Sequence, residues 1–473
     1  MASNTNGTMA KCRILHVNIG SLGKFNDENT LETWELPSNT KDLEPLHEAA
    51  RHLRDGIIPV GFPTETVYGL GADATRSEAV KGIYKAKGRP SDNPLIIHVC
   101  DLTMLRSLIA PAEGQNGNQL SKDPIPAIYK PLIEKFWPGP LTILLPNPNP
   151  SKLASEVTAG LPTFGARMPD SPLALSLIHL SGVPLAAPSA NASTKPSPTT
   201  AEHVRHDLDG KIEIILDGGP CLVGVESTVV DGLCDPPVVL RPGGVSIDRI
   251  RECEGWAGVV KGYKDASEEG SANAPRAPGM KYKHYSPKAK VVLYEATPHN
   301  STMNGLVDEP LKISQAQQQS SDYLDYHLLG TSVKIGIVNT KNWGEWAKMH
   351  KGQLRDGTQG TMIRRQQTLA TSNSFVMKQG ELWIEEWKTI ADLDPEESGI
   401  SAPSSNSHSK LADVVDISLG SDTKDIAHGL FSALRELDLQ GVDVVYVEGI
   451  KDEGDIAAAV MNRLRKAAFK IVV

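Results

Sequence analysis

The sequence predicts an α/β protein, with a twisted mixed sheet and helices in its first half and a smaller α/β domain after it. Short apolar runs alternate with amphipathic segments from about residue 42 to residue 251. A stretch rich in Gly, Ala, Ser and Pro follows and is typical of a linker. Beyond it the alternation resumes. The predicted divisions are an N-terminal extension (1–41), a first domain (42–253), the linker (254–287) and a second domain (288–473).

The composition indicates a folded protein of several domains. Of the 473 residues, 40% are apolar and 22% are charged, which excludes disordered, collagen-like and coiled-coil proteins. No run of about 18 apolar residues is present, so we expect no membrane-spanning helix and no membrane partner. The formal charge of −9 argues against a protein built mainly to bind the nucleic-acid backbone.

The five cysteines predict a reducing compartment. None belongs to a CxxC pair and their number is odd, so neither a disulfide scaffold nor a structural zinc site is expected. The first 26 residues contain no acid, but their only basic residues are Lys11, Arg13 and Lys24. A mitochondrial presequence is usually richer in arginine. We predict a cytoplasmic protein, with a minor mitochondrial pool as the alternative.

Capping and turn residues position the predicted elements of the first domain. Predicted strands cover residues 57–62, 95–99, 141–145, 212–216, 225–230 and 238–240. The predicted helix signals are the capping boxes Thr75-x-x-Glu78 and Thr199-x-x-Glu202, the start Ser171-Pro172, and the stops Gly88 and Gly182.

The second domain is predicted to be Rossmann-like, because buried apolar runs alternate with helical patterns. Predicted parallel strands cover residues 291–294, 334–338 and 442–447, and predicted helices cover 425–438 and 455–468. Two polar tracts, 315–321 and 402–410, are expected to be exposed loop insertions. No GxGxxG fingerprint for a dinucleotide is present.

Two segments of the first domain suit a bound anion. Lys87-Gly88-Arg89 lies where a predicted helix ends, so a compact cation and a planar one can face one target such as a polyphosphate. In A-P-S-A-N (187–191) and S-P-T (197–199), hydroxyl groups and an amide precede a helix start and can form an anion cradle. A solvated basic face and an ordinary cluster of turn residues are the alternatives.

Three other features point to the same region. The segment P-T-E-T-V-Y-G-L-G-A-D-A (63–74) suits a small polar ligand at a strand end, although an ordinary turn is the alternative. Arg167 lies on an apolar strand and needs an anionic partner, either a structural carboxylate or a substrate carboxylate. Residues 270–294 contain no acid and include P-G-M-K-Y-K-H-Y-S-P, which predicts a linker that folds over an anionic ligand.

Seven motifs, in this order, resemble the YrdC family. They are the 63–74 segment, K-G-R (87–89), N-P-L-I-I-H (93–98), W-P-G-P-L-T (137–142), A-P-S-A-N (187–191), G-V-E-S-T-V-V-D (224–231) and L-R-P-G (240–243). The linker motif and the second domain make the resemblance specific to the family's long two-domain form. It implies a YrdC-like twisted mixed sheet with a positive, concave cavity.

The resemblance also implies a reaction. L-threonine, bicarbonate or CO2, and ATP would give L-threonylcarbamoyl-adenylate and pyrophosphate, with Mg²⁺ carried by the nucleotide. A separate transferase complex would use the product to modify the tRNA adenosine beside the anticodon (t6A). Because a neutral amine must capture CO2, a site without many nearby carboxylates suits this chemistry.

The resemblance assigns residues to each substrate. Lys87 and Arg89 are the implied catalytic pair, and both also contact ATP. The remaining implied ATP-binding residues are Asn93, Thr163, Ser189, Asn191, Ser197, Arg241, His284 and Tyr285. The implied threonine-binding residues are Thr66, His98, Arg167, Ala187 and Ser227. No protein ligand to a metal is implied.

Two other functions compete with this interpretation. Hydrogenase-maturation carbamoyltransferases contain a YrdC-like module, but they carry paired CxxC zinc motifs, which this chain lacks. A binder of double-stranded RNA, or a ribosome-assembly factor, would use the concave basic surface. The overall acidity argues against RNA as the main ligand, although weak RNA binding stays compatible with it.

Overall fold

The computed structural model describes residues 11–27, 30–38, 41–110, 123–263, 285–296, 306, 333–349, 359–372, 374–386, 407–454 and 456–473. The chain divides into two compact units. Unit 1 comprises Met1–Tyr285 and Glu453–Lys466, and unit 2 comprises Ser286–Asp452 and Ala467–Val473. Nothing in the sequence pattern assigns residues 453–466 to unit 1. None of the helices in the described ranges is long and apolar enough to cross a bilayer.

Unit 1 is built on a mixed sheet. Its strands are β1 (Arg13–His16), β2 (Lys24–Phe25), β3 (Trp34–Glu35), β4 (Val60–Phe62), β5 (Gly69–Asp73), β6 (Ile96–His98), β7 (Leu141–Pro146), β8 (Thr163–Arg167), β9 (Leu185–Ala186), β10 (Ile214–Asp217), β11 (Thr228–Asp231), β12 (Val238–Arg241) and β13 (Val260–Lys261). The sheet order is β1-β10-β4-β5-β9-β6-β8-β7-β11-β12-β13, and β2 pairs with β3 separately. Parallel and antiparallel neighbours both occur, which confirms the predicted mixed sheet.

Helices cover the sheet of unit 1. They are α1 (Glu44–Asp55), α2 (Ser77–Lys87), α3 (Leu102–Ile109), α4 (Lys130–Phe136), α5 (Ser155–Thr158), α6 (Pro172–Ser181), α7 (Ala201–Leu208) and α8 (Ile247–Arg251), with 3-10 turns at Ile19–Ser21, Lys41–Leu43 and Ala127–Tyr129. Helix α1 buries one stripe, Leu46, Ala49, Ala50 and Leu53, against the core. Helix α6 is apolar around most of its circumference and is correspondingly buried.

The glycine stops and one helix start are confirmed. Gly88 and Gly182 end α2 and α6 in the left-handed conformation, with φ of 61° and 66°. The Ser171 hydroxyl accepts a hydrogen bond from the backbone N–H of Ala174, and Pro172 is the first helical residue. These signals act within one turn of the chain, so tertiary packing did not override them.

Both predicted capping boxes are wrong. Helix α2 begins after Arg76, because the Thr75 hydroxyl donates instead to the Asp73 carboxylate, 2.7 Å away. Helix α7 is capped by Thr200, one residue after the predicted Thr199. At α2 the cap residue Arg76 makes no side-chain hydrogen bond to the helix, whereas at α7 the Thr200 hydroxyl accepts from the backbone N–H of His203.

The strand predictions differ from the structure mainly at their starts. The predicted strand 57–62 begins only at Val60, and the predicted strand 225–230 begins only at Thr228. Residues 225–227 instead form a loop. Strands β5 and β9 were not predicted, because the first is glycine-rich and the second has only two residues.

Unit 2 has a sheet that is parallel in one half and antiparallel in the other. Its elements are β14 (Lys290–Tyr294), β15 (Val333–Asn339), β16 (Gln359–Thr371), β17 (Val376–Glu386), β18 (Ser407–Ser418), β19 (Val444–Glu448), β20 (Lys470–Val472), helix α9 (Thr423–Leu439) and a 3-10 turn at Glu345–Lys348. The order is β16-β17-β18-β15-β19-β14-β20. Helix α10 (Ala457–Ala467) follows α9 in sequence, but its residues up to Lys466 belong to unit 1.

The predicted parallel strands of unit 2 are confirmed, because β14 and β15 both pair with β19 in parallel. The antiparallel strands β16, β17 and β18 were not predicted. Residues 407–410 of the expected loop insertion lie in β18, so that part of the prediction is wrong. The other expected insertion, 315–321, lies outside the described residues. The middle of β16 is exposed, which is compatible with an antiparallel sheet that faces water on one side.

Gly243, the last residue of L-R-P-G, lies against the start of β11. A Cβ at this position would lie 2.2 Å from the backbone nitrogen of Thr228 and 2.4 Å from the carbonyl oxygen of Glu226. A side chain would therefore collide with backbone atoms that cannot rotate away. Close approach of two backbones requires glycine here.

We expect Gly243→Ala to lower the free energy of unfolding by at least about 2 kcal/mol, because even overpacking of side chains costs about 1–3 kcal/mol. Gly258→Ala is the matched control, since a Cβ there meets no atom within 4 Å. It should change stability by less than about 0.5 kcal/mol. Urea unfolding followed by tryptophan fluorescence measures both variants, and equal stabilities would contradict this account of Gly243.

Candidate functional site

A partly open cleft lies in unit 1, and its accessible volume is about 70 Å³. Strands β6 and β8 end at it, and the loops that follow β4 and β9 complete its walls. Most of the predicted site residues line it, namely Thr66, Arg89, His98, Arg167, Ala187, Ser189, Asn191, Ser197, Ser227, Arg241 and Tyr285. Residues that are far apart in sequence are thus brought around one cavity.

Four predicted residues are not in the lining. Lys87 is buried, and Asn93 is buried with no hydrogen-bond partner for its side-chain oxygen among the described residues. Thr163 begins β8 and pairs with Pro146, at the end of the strand opposite to Arg167, so the structure does not bring it to the cleft. His284 lies outside the described residues.

Lys87 ties helix α2 to the A-P-S-A-N loop. Its ammonium group donates to the carbonyl oxygen of Ser189 and, at 2.6 Å, to that of Asn191. The Ser189 hydroxyl in turn donates to the Asn191 side-chain oxygen at 2.5 Å. Because backbone carbonyls carry no net charge, the positive charge of Lys87 is held in place beside the cavity without being neutralised by them.

Arg89 presents an unused donor to the cavity. One of its terminal nitrogens donates to the carbonyl oxygen of Pro94 at 3.0 Å, whereas its buried Nε has no hydrogen-bond partner among the described residues. Burial lowers the pKa of Arg89 to about 10, which leaves it charged at neutral pH. A charged group whose buried N–H has no hydrogen-bond partner among the described residues is suited to an anionic ligand.

His98 and Arg167 lie side by side because β6 and β8 are parallel and pair these two residues in register. Burial, and then the positive charge of Arg167, lowers the pKa of His98 to about 3. Its imidazole is therefore neutral at physiological pH. The Nδ1 atom of His98 is buried and has no partner among the described residues, so it is free for a ligand.

Arg167 has a structural carboxylate, that of Glu65, among its partners. One terminal nitrogen contacts Glu65, the other donates to the Thr66 hydroxyl at 2.9 Å, and Nε donates to the carbonyl oxygen of Gly139 at 3.1 Å. The guanidinium group is thus fully oriented by the protein. Arg167 also fixes the direction of Thr66, which lines the cleft.

Arg241 organises the wall formed by residues 226–228. Its guanidinium donates to the Ser227 carbonyl oxygen at 2.8 Å and to the Ser227 hydroxyl at 3.0 Å. Burial lowers its pKa to about 10, so it too stays charged. The Ser227 hydroxyl is also 2.8 Å from the Thr142 hydroxyl, which lies on β7 beside β11.

Glu226 and Lys195 line the cleft but were not predicted. Glu226 is buried and accepts a hydrogen bond from the Ser197 hydroxyl at 2.5 Å. Lys195 forms an ion pair with Asp207 at 3.0 Å. Glu226 lies inside the G-V-E-S-T motif, so the sequence could have indicated it as a site residue. Nothing in the local sequence indicates Lys195. Glu226 pairs with Arg463 and Glu65 pairs with Arg167, so both carboxylates have a cationic partner.

The described residues provide no protein cage for Mg²⁺. This ion prefers several oxygen ligands, but Glu226 is the carboxylate in the lining and its oxygens already contact Ser197 and Arg463. Phosphate oxygens and water would have to supply the ligands of a magnesium ion carried by a nucleotide. Elsewhere, Cys100, Asp101 and His179 lie close together, but Asp101 is occupied as the cap of α3.

Two family models match most of the chain. One, described as "Telomere recombination", matches residues 51–243, and the other, described as "Threonylcarbamoyl-AMP synthase, C-terminal domain", matches residues 245–469. Two crystallised forms of Pyrococcus abyssi Sua5 have similar structures. One, complexed with L-threonine, shares 34% identity and a TM-score of 0.63 over 90% of this chain and 95% of its own. The other, a double alanine variant, has a TM-score of 0.65, 32% identity and 98% coverage of both chains.

Curated relatives agree with these matches. The threonylcarbamoyl-AMP synthase of Schizosaccharomyces pombe is 43% identical over 91% of this chain and 90% of its own length. That of Bacillus subtilis is 51% identical over 56% of this chain and 70% of its own length. On the strength of a full-length relative and of both family models, the chain belongs to the threonylcarbamoyl-AMP synthase family.

Proposed function

We propose that unit 1 makes L-threonylcarbamoyl-AMP from L-threonine, bicarbonate or CO2, and ATP, and releases pyrophosphate. This is the first step of t6A modification of tRNA. The observation that carries the proposal is the juxtaposition in one cleft of buried, charged guanidinium groups and a neutral histidine with a free nitrogen. The cations suit a triphosphate, and the neutral polar groups suit an amino acid.

In this proposal the cationic side chains of the cleft bind the nucleotide. Arg89 offers its unpartnered Nε, and Arg241 contributes a second buried charge. Lys87 holds the loop that carries Ser189 and Asn191. Positioned charges of this kind stabilise the negative charge that develops on phosphate oxygens during transfer. The proposed ATP contacts therefore include Arg89, Asn191, Ser197 and Arg241, while Lys87, which the family resemblance also assigns to ATP, acts through the loop that it holds.

In this proposal the neutral polar side chains of the cleft bind threonine. His98, Thr66 and Ser227 line the cleft, and Arg167 stands beside His98. A neutral imidazole does not repel an ammonium group and can accept a hydrogen bond at an unprotonated nitrogen. The Arg167–Glu65 pair supplies a fixed dipole, and its arginine end lines the cleft and faces the carboxylate of the amino acid.

The reaction needs no covalent intermediate with the protein. The neutral amine of threonine attacks CO2, a C–N bond forms as one C=O electron pair moves onto oxygen, and the amine gives its proton to solvent water, which leaves a carbamate. A carbamate oxygen then attacks the α-phosphorus, the P–O bond to pyrophosphate breaks, and the pyrophosphate leaves with the electron pair. The residues act by alignment and by charge stabilisation. Magnesium, held by phosphate oxygens, would add charge neutralisation.

The proposal also covers the fate of the product, two further ATP-binding residues and the cellular location. The product passes to a tRNA threonylcarbamoyl transferase complex, and His284 and Tyr285 contribute to ATP binding. Of these two, Tyr285 is described and lines the cleft. All five cysteines are free thiols, which agrees with the cytoplasmic location predicted from the sequence.

We expect Arg89→Ala to lower kcat/KM for threonine-dependent pyrophosphate release by at least about 100-fold, because the loss of one oriented donor to a developing anion costs about 10²–10³ in rate. Lys87→Ala should have a similar effect, since it frees the loop of Ser189 and Asn191. Lys85→Ala, an exposed position on the same helix, is the control. Near wild-type turnover by Arg89→Ala would remove the nucleotide role of this cleft.

The neutrality of His98 predicts a pH dependence of stability. The folded pKa is lowered from 6.5 to about 3, so below the ordinary value the unfolded chain takes up a proton that the folded chain does not. Stability is therefore lost as the pH falls from about 6.5 towards 3. In His98→Gln the loss of stability that comes from protonation of His98 in the unfolded chain should be absent.

Urea midpoints at pH 7 and pH 5 test this expectation. The difference between the two midpoints should be smaller in His98→Gln than in the wild type, whereas His16→Gln, at an exposed position, should keep the wild-type difference. An unchanged difference in His98→Gln would show that His98 is not held neutral in the folded protein.

A further inference from the structure

One arginine from the far end of the sequence lies in unit 1 beside the cleft. Arg463 is on helix α10, within the segment 453–466 that belongs to unit 1. Its side chain is only 1% exposed, so its charge needs a partner. The L-R-P-G motif and the G-V-E-S-T motif supply the partners, more than 200 positions earlier in the chain.

The guanidinium of Arg463 forms a two-point ion pair with Glu226. Its Nε donates to Glu226 Oε2 at 3.0 Å, and Nη2 lies 3.0 Å from the same oxygen. The remaining terminal nitrogen donates to the carbonyl oxygen of Pro242. One side chain thus holds the two motifs that form a wall of the cleft.

Glu226 connects Arg463 to the nucleotide side of the cleft. Its Oε2 contacts Arg463, while its Oε1 accepts the hydrogen bond from Ser197, one of the residues that we assign to ATP. Burial raises the pKa of Glu226, but Arg463 and then Arg241 reverse this effect and leave the carboxylate ionised. A carboxylate without such a partner would repel a polyphosphate.

Arg463 also contacts Tyr285, which we assign to ATP binding. The carbon of its guanidinium group lies 5.7 Å from the ring centroid of Tyr285, within the range of a cation–π interaction. Tyr285 has φ of 66°, which is uncommon for a residue other than glycine. Such a conformation persists where the surroundings hold it in place, and the buried ring of Tyr285 is held against Arg463.

We infer that Arg463 is a positioning residue for the nucleotide: it fixes and neutralises Glu226, orients Ser197 through it, and supports Tyr285. The inference deepens the proposed function and rests on it. It means that the C-terminal segment 453–466 completes the ATP side of the cleft in unit 1. Without Arg463, the buried carboxylate of Glu226 would lose its ion-pair partner and keep only the weaker effects of Arg241 and Ser197.

The test uses the full-length protein and three variants. Arg463→Met removes the charge and keeps the length of the side chain, and Arg463→Lys keeps the charge but cannot form the two-point pair. Arg465→Met is the matched control, since it removes an arginine from the same helix. Steady-state pyrophosphate release gives KM for each substrate, and calorimetry gives the Kd for ATP.

We expect Arg463→Met to raise both KM and Kd for ATP by at least about tenfold, because removal of one partner from a buried pair costs more than the 1.4 kcal/mol that a factor of ten represents. KM for threonine should change by less than about threefold, since the hydrogen bonds of Arg463 in the described part of the chain go to Glu226, Pro242 and Ala459, none of which we assign to threonine. Arg463→Lys should show a smaller rise in KM for ATP, and Arg465→Met should resemble the wild type.

Adding Glu226→Gln to Arg463→Met provides a second test, because the double variant buries no unpaired charge. It should recover much of the ATP affinity lost in Arg463→Met. If Arg463→Met does not fold, KM and Kd for ATP are compared between the wild type, Arg463→Lys and the double variant. An equal rise of KM for both substrates, or an unchanged Kd for ATP in Arg463→Lys, would overturn the inference and indicate a purely structural role.

The two proposals fail in different ways. A wild-type protein that forms no threonine-dependent pyrophosphate contradicts the proposed function, whereas calorimetry with ATP still measures the effect of Arg463. A wild-type protein that forms the product normally, together with Arg463 variants that bind ATP equally well, contradicts only the role of Arg463.

Discussion

The site depends on keeping several positive charges buried around one cleft. Backbone carbonyls accept most of their hydrogen bonds: Arg89 donates to Pro94, Arg241 to Ser227 and Lys87 to Ser189 and Asn191. A carbonyl orients a cation and partly solvates it without cancelling its charge. The cleft therefore retains a net attraction for an anion, and the folded protein bears the cost of desolvation before any ligand binds.

Two buried carboxylates each form an ion pair with an arginine beside the cleft. Glu65 pairs with Arg167 on the side that we assign to threonine, and Glu226 pairs with Arg463 on the side that we assign to ATP. Each pair removes one negative charge that would otherwise oppose the substrate. The pairing also gives direction, because Arg167 aligns Thr66 and Glu226 aligns Ser197. Charge balance and side-chain orientation thus come from the same contacts.

Local signals in the sequence predicted local structure well where one turn of chain decided the outcome. Gly88 and Gly182 end their helices as expected, and Ser171 caps α6. The same kind of reasoning failed at Thr75, because Asp73 competed for its hydroxyl. The long strands β16 and β17 were missed for a different reason: their stability comes from pairing with each other and with β18, which a one-dimensional pattern does not record.

The sequence by itself determined the α/β class, because short-range spacing identifies it, and the resemblance of its motifs to the YrdC family implied most of the residues that line the cleft. Only the tertiary structure decided which charges meet. It showed that Arg167 has Glu65 as its partner, that Thr163 starts its strand far from Arg167, and that Arg463 joins a cleft built from the other end of the chain. Such pairs depend on contacts between distant segments, and no local pattern encodes them.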